Sequence, residues 1–290
     1  MPMDWTAGID RPLAQLALTG PDRALVEAWF AEDAAQYTAV PVGADGFPES
    51  DSPIGAEPVI LRLDHESVAA NTTKTQNKLE SLSARAPVIA IVDAETVELL
   101  PDFFDVEPVD FVLLSCGKGA FMNAIRQVAS PSLRERAESR PISPDVLRDE
   151  IERIARALSA LVDQTPTAEQ PVRTVRDRRE SARLLRAIIR RRRARAQFFP
   201  ADLFADPAWD ILLDLAAARH EATRVSISSL CIAAAVPTTT ALRWIKGMTA
   251  AGVLEREDDP EDGRRSFIRL SDRTAAAMDN YLSAVEEGVV

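Results

Sequence analysis

Between residues 11 and 130, short apolar runs alternate with amphipathic stretches, and this alternation constrains the fold more than any other feature of the chain. The runs are Leu13 to Leu18, Gln36 to Val42, Val59 to Leu63, Pro87 to Val92 and Val109 to Leu114. The segment Val88-Ile89-Ala90-Ile91-Val92 contains no polar residue, as a strand covered on both faces requires. Helical patterns fall between the runs, from Pro21 to Ala35, Ala69 to Ala84, Glu95 to Leu100 and Gly117 to Ala129. Strands that alternate with helices predict a doubly wound α/β domain, a parallel sheet with helices on both faces.

Beyond residue 130 the pattern becomes mainly α. Pro131, Pro141 and Pro144 mark a linker, and a helix begins near Pro144. Its apolar residues Leu147, Ile151, Ile154, Leu158 and Leu161 are spaced 4, 3, 4 and 3 apart, a heptad seam that predicts a coiled coil between two copies. Thr165 to Pro171 interrupts it, and a second helix from Thr174 to Phe198 carries Leu184, Leu185, Ile188 and Ile189 beside many arginines. Helices are then expected at 207–220, 226–234, 237–251 and 272–286, with Gly252 to Leu270 forming a strand, a charged turn and a strand. The resulting division is a 1–130 α/β domain, a 131–198 helical linker and dimerisation region, and a 199–290 helical domain with a hairpin.

Charge separates these parts. The net charge is -11, yet residues 173–196 hold eleven arginines against Asp177 and Glu180, a local charge of +9, which leaves -20 for the rest. Residues 1–130 carry twenty acids and eight bases, or -12. An acidic front half is repelled by polyanions, whereas an arginine-rich stretch such as Arg190 to Arg193 is a candidate for phosphate contact. No run of about 18 apolar residues predicts a membrane span. Two cysteines and two histidines, scattered along the chain, offer neither a disulfide framework nor a metal site. The cytoplasm is the expected compartment, and no cofactor is expected.

The segment Ser226 to Leu270 carries the functional signal. A short helix meets the tight junction Ala235-Val236-Pro237, and the next helix presents Thr238, Thr239, Thr240, Arg243 and Lys246. Small hydroxyl residues at a helix start approach a groove closely, and the helix N-terminus favours phosphate. These five are expected to face outward while Ala241, Leu242, Ile245 and Met248 pack inward, with Trp244 in the core. The hairpin tip holds Arg264 and Arg265, placed to reach a minor groove or backbone. The wing residues Asp259, Pro260, Asp262 and Arg264, followed by Leu270-Ser271-Asp272-Arg273, resemble the winged helix-turn-helix of the MarR family of regulators. The resemblance covers about 90 residues. It implies that Arg264 enters the minor groove, that helix 237–251 reads the major groove of double-stranded DNA, and that the protein is a homodimer on a roughly palindromic operator.

The order of elements in residues 11–130 resembles the receiver domain of response regulators, in which Asp64, at the end of the third strand, is the candidate phosphoacceptor. The supporting chemistry is incomplete. After the first strand Asp22 is the one nearby acid, the fourth strand ends at Asp93 without a hydroxyl residue, and Lys118 comes late after the fifth. This predicts a degenerate receiver-like domain that serves protein contacts or dimerisation, or modulates DNA affinity. Cys116-Gly117-Lys118-Gly119 lacks the spacing of a phosphate-binding loop, and no catalytic residue is identified. The rival readings are a protein-interaction adaptor, a phosphorylation-dependent response regulator, and an enzyme using the crevice beyond Asp64 and Asp93.

Overall fold

The computed structural model of the chain describes residues 12–33, 35–49, 52–100, 109–129, 148–156, 175–199, 201–259 and 266–287. The chain divides into two compact units, Met1–Pro141 and Ile142–Val290. Among the described residues no helix is long and apolar enough to cross a membrane.

The first unit is built on five parallel strands, β1 (Ala14–Ala17), β2 (Tyr37–Ala39), β3 (Val59–Leu63), β4 (Val88–Val92) and β5 (Val109–Leu113), in the order β2-β1-β3-β4-β5. This is one of the two common doubly wound orders, with its switch point between β1 and β3. The central strands β3 and β4 pair in register from Val59↔Val88 to Leu63↔Val92, and every residue of β4 is buried. Side chains alternate across the sheet. Helices α1 (Gly20–Glu32) and α5 (Gly117–Ala129) meet one face through Phe30, Phe121, Met122 and Ile125, packed with Leu16, Ile60, Ile89 and Ile91. On α2 (His65–Ala70) and α3 (Thr72–Ser83), Val68, Leu79 and Leu82 are buried, as are Leu61, Leu63 and Ala90 of the strands. A short α4 (Ala94–Val97) follows β4.

The single helix expected over 69–84 is two helices. Asn71, with φ -159°, leaves helical geometry, and its side chain accepts from the Lys74 main-chain N–H at 2.9 Å to cap α3. An Asn that bonds its own downstream backbone competes with helix continuation, which is why periodicity alone runs through it.

The second unit contains helix α6, described over 148–156, and α7 (Val175–Ala194). It continues through α8 (Pro207–Glu221), α9 (Ile227–Ala233), α10 (Thr238–Ala250) and α11 (Asp272–Glu286), with an antiparallel sheet in the order β6 (Val225–Ser226), β8 (Ser266–Leu270), β7 (Leu254–Asp258). Leu147, Leu158 and Leu161 of the expected seam lie outside the described residues. Helix α7, which the sequence pattern places in a linker, packs along α8 within this unit. Arg186 pairs with Asp214, and with Glu221 at 2.7 Å; Arg192 pairs with Asp210 at 2.7 Å and reaches Asp206 at 3.9 Å. These pairs hold the Arg186 guanidinium pKa above its usual value, Glu221 acting most strongly. Two arginines of this stretch are therefore paired with acids on a neighbouring helix. Arg192 of the run 190–193 faces α8, while Arg190 and Arg191 are exposed.

The turn between α9 and α10 places Ala235 at φ 55°. A left-handed conformation strains any residue with a Cβ by about 1–2 kcal/mol. Ala235→Gly is expected to stabilise the second unit by about 0.5–1 kcal/mol once the greater freedom of glycine in the unfolded chain is subtracted. A urea titration measures it, and a destabilised variant would contradict the strain.

Candidate nucleic-acid interface

Helix α9 begins at Ser226, whose hydroxyl accepts from the Ser229 main-chain N–H at 3.2 Å. Its buried residues Ile227, Leu230 and Cys231 seat it beneath α10. Arg193 of α7 donates to the Ala233 carbonyl at 3.4 Å, which ties the end of α7 to the end of α9. Pro237 precedes α10, and its fixed φ of -51° suits a helix entry.

On α10, Ala241, Leu242, Trp244, Ile245 and Met248 are buried, the stripe expected from their spacing. The outward side carries Lys246, exposed, with Thr240, Arg243 and Gly247 half-buried. Arg243 and Gly247 stand one turn apart and so share a face. Thr238 and Thr239 depart from expectation: they keep 7% and 6% of their exposure and do not form an outward hydroxyl surface. Thr238 lies one turn before Leu242 and two before Ile245, on the core stripe. Thr239 lies three residues before Leu242 and flanks that stripe. Of the residues expected to read a groove, Thr240, Arg243 and Lys246 remain on the outward side.

The outward side is partly covered. Cδ1 of Ile151 on α6 fills the place that a Cβ would take at Gly247, and Cγ1 lies 3.7 Å from that place. Ile151 is 4% exposed, while Ile154 and Ala155, on the same face of α6, are half-buried. The contact gives one residue of the expected intermolecular seam a partner within its own chain. Spacing alone identifies an apolar face of a helix but not what covers it.

Strands β7 and β8 pair from Leu254↔Leu270 to Asp258↔Ser266 and form the stem of the hairpin. The tip with Arg264 and Arg265 lies outside the described residues. At the stem, the Arg224 guanidinium stacks 3.7 Å from the centroid of the Phe267 ring and lies 3.4 Å from Asp259. Arg256 donates to Ser266 Oγ at 3.0 Å, and Arg269 pairs with Glu255. These arginines were not singled out in the sequence. The period-2 pattern that exposes Arg269 between Ile268 and Leu270 is the signal that could have found it. Ser271 caps α11, and Thr274 Oγ1 donates to the Val253 carbonyl at 2.8 Å, fixing the hairpin's first strand to the helix that follows it.

In the first unit, Asp64 caps α2 by accepting from the Ser67 main-chain N–H at 2.8 Å. Burial works to raise its pKa, but the hydrogen bonds from Ser67 and the Asp64 main chain, together with the nearby Arg62 charge, hold the carboxyl below its usual value. Arg62 pairs with Asp93 at 2.7 Å and reaches Asp22 at 3.5 Å, so one guanidinium links the acids that follow β4 and β1. Lys118 pairs with Glu32 and Asp33, each at 2.8 Å. Asp22 and Asp93 thus already share a cation supplied by the chain.

A family model described as a winged helix DNA-binding domain matches residues 207–274, from α8 through the hairpin to the start of α11. Neither a curated protein nor a solved structure matches the chain.

Proposed function

We propose that the chain is a transcriptional regulator of the MarR-like type, which binds a roughly palindromic operator as a homodimer in the cytoplasm. The observation that carries the reading is the outward side of α10, with Arg243 and Lys246 set on a helix-turn-helix inside the segment matched as a winged helix DNA-binding domain. In this reading α10 enters the major groove, and Thr240, Arg243 and Lys246 meet base edges and phosphates. Arg264 and Arg265 reach from the hairpin tip to the adjacent minor groove. Leu147, Ile151, Ile154, Leu158 and Leu161 form the dimer seam when α6 is away from Gly247, against which Ile151 is otherwise buried.

The first unit acts as a degenerate receiver-like domain that contacts a protein, with no catalytic or phosphoryl-transfer role. Two observations favour this over phosphorylation at Asp64. The Asp64 carboxylate is engaged as a helix cap, and Arg62 neutralises the acids that would otherwise attract a divalent cation.

The test is fluorescence anisotropy of the full chain against a labelled pool of random duplexes of about 30 bp, followed by selection of bound genomic fragments. Binding that weakens steeply with added salt is the expected result. No binding at about 50 mM salt would favour an adaptor in which the winged helix has become a protein-binding module.

A further inference from the structure

Helix α6 occupies the side of α10 that the proposed reading assigns to DNA. Gly247 lies one turn after Arg243, and the Ile151 side chain fills the space above it. A helix with its side chains is about 10–12 Å across, and the major groove is about 12 Å wide. The groove admits one helix and not a packed pair. We infer that α6 is an internal competitor for DNA, and that operator binding requires its release from Gly247. The inference rests on the DNA-binding reading and names how that same surface is regulated.

The composition of the contact fits such a device. Glycine inside a helix is disfavoured, so its presence at the middle of α10 needs a use, and close approach of a second helix supplies one. The face that α6 brings is amphipathic. Ile151 is buried, Ile154 and Ala155 are half-buried, and Asp149, Glu152, Arg153 and Arg156 are exposed. Such a short apolar face gives a contact strong enough to close the surface and weak enough to be exchanged. Burial of one isoleucine corresponds to a shift of about tenfold to a hundredfold in a two-state equilibrium. Apparent affinity for DNA falls by the fraction of molecules that are open.

Two full-length variants test the gate against the same duplex pool. Ile151→Asp removes the apolar seat and is expected to tighten apparent DNA affinity about tenfold or more. The pair Ile151→Cys with Gly247→Cys, in a Cys116→Ser background, is expected to form a disulfide that weakens binding about tenfold or more, with full recovery on reduction. The cysteine pair decides the matter should Ile151→Asp fail to fold. Equal affinity in the wild type, in Ile151→Asp and in both redox states of the pair would overturn the gate and leave the DNA reading standing. Failure of the two cysteines to join, read by mass spectrometry, would also overturn it. No binding by any form, including the reduced pair, would overturn the DNA reading and the gate together.

Discussion

Trp244→Ala is expected to cost the second unit about 3–5 kcal/mol, because it empties the place of a large ring in the core of the helix-turn-helix. Trp244 is 3% exposed, and neighbours along α10 on the same side, Ala241, Ile245 and Met248, are equally buried. For a unit of this size the loss corresponds to a fall in Tm of roughly 6–20 °C. Net stabilities are commonly about 5–15 kcal/mol, so the variant removes a large share of what holds the unit folded. Calorimetry on the full chain reads the effect. Trp244→Phe separates the ring from its N–H. Among the described residues the buried indole Nε1 has no hydrogen-bond partner, so within them its loss forfeits no bond and removes an unsatisfied donor. The phenylalanine variant is therefore expected to lose less than about half as much as the alanine variant. A cost below about 1 kcal/mol for Trp244→Ala would mean that this ring is not part of the core.

The same residue shows where sequence is a sufficient guide. Trp244, Ala241, Ile245 and Met248 follow the helical period, and period alone places them inside. Strand β3 and helix α5 begin and end where their patterns do, at Val59–Leu63 and Gly117–Ala129. Patterns fail where a side chain has two uses. Asn71 is an acceptable helix residue by periodicity and a cap by hydrogen bonding, and capping prevails. Thr238 and Thr239 suit a groove by size and chemistry, but their position along the helix turns them toward the core. Charge is still less legible. Arg186 and Arg192 read as part of a basic face, yet their partners Asp214, Glu221 and Asp210 lie on a different helix. The seat of Ile151 at Gly247 spans almost 100 residues of chain, and nothing local to either position announces it. The heptad spacing does identify an apolar face on α6, and the fold gives that face a partner within the chain.

Arg243→Ala combined with Lys246→Ala is expected to weaken DNA binding by about 2–4 kcal/mol, or roughly 30- to 1000-fold, at low salt. Both residues lie on the outward side of α10, so the loss should come without a comparable fall in Tm, unlike that of Trp244→Ala. Salt dependence distinguishes the kinds of contact involved. Each phosphate contact removed lowers the slope of log affinity against log salt by about 1, whereas a lost base contact leaves that slope unchanged and relaxes sequence preference. Lys246, the more exposed of the two, is expected to act through phosphate, and Arg243, at the centre of the outward side, through base edges. Arg269→Ala is the control. It removes a positive charge from the hairpin stem of the same unit, but that charge is already paired with Glu255. Nonspecific attraction predicts similar losses for all three arginine and lysine replacements. A groove-reading helix predicts a large loss from the α10 pair and a small one from Arg269. The measurements belong in the Ile151→Asp background as well as in the wild type, because removing the competitor should enlarge the measurable range without changing the ratio between variants. If the α10 pair bound DNA as tightly as its parent in both backgrounds, α10 would not be the recognition helix, whatever the rest of the molecule does.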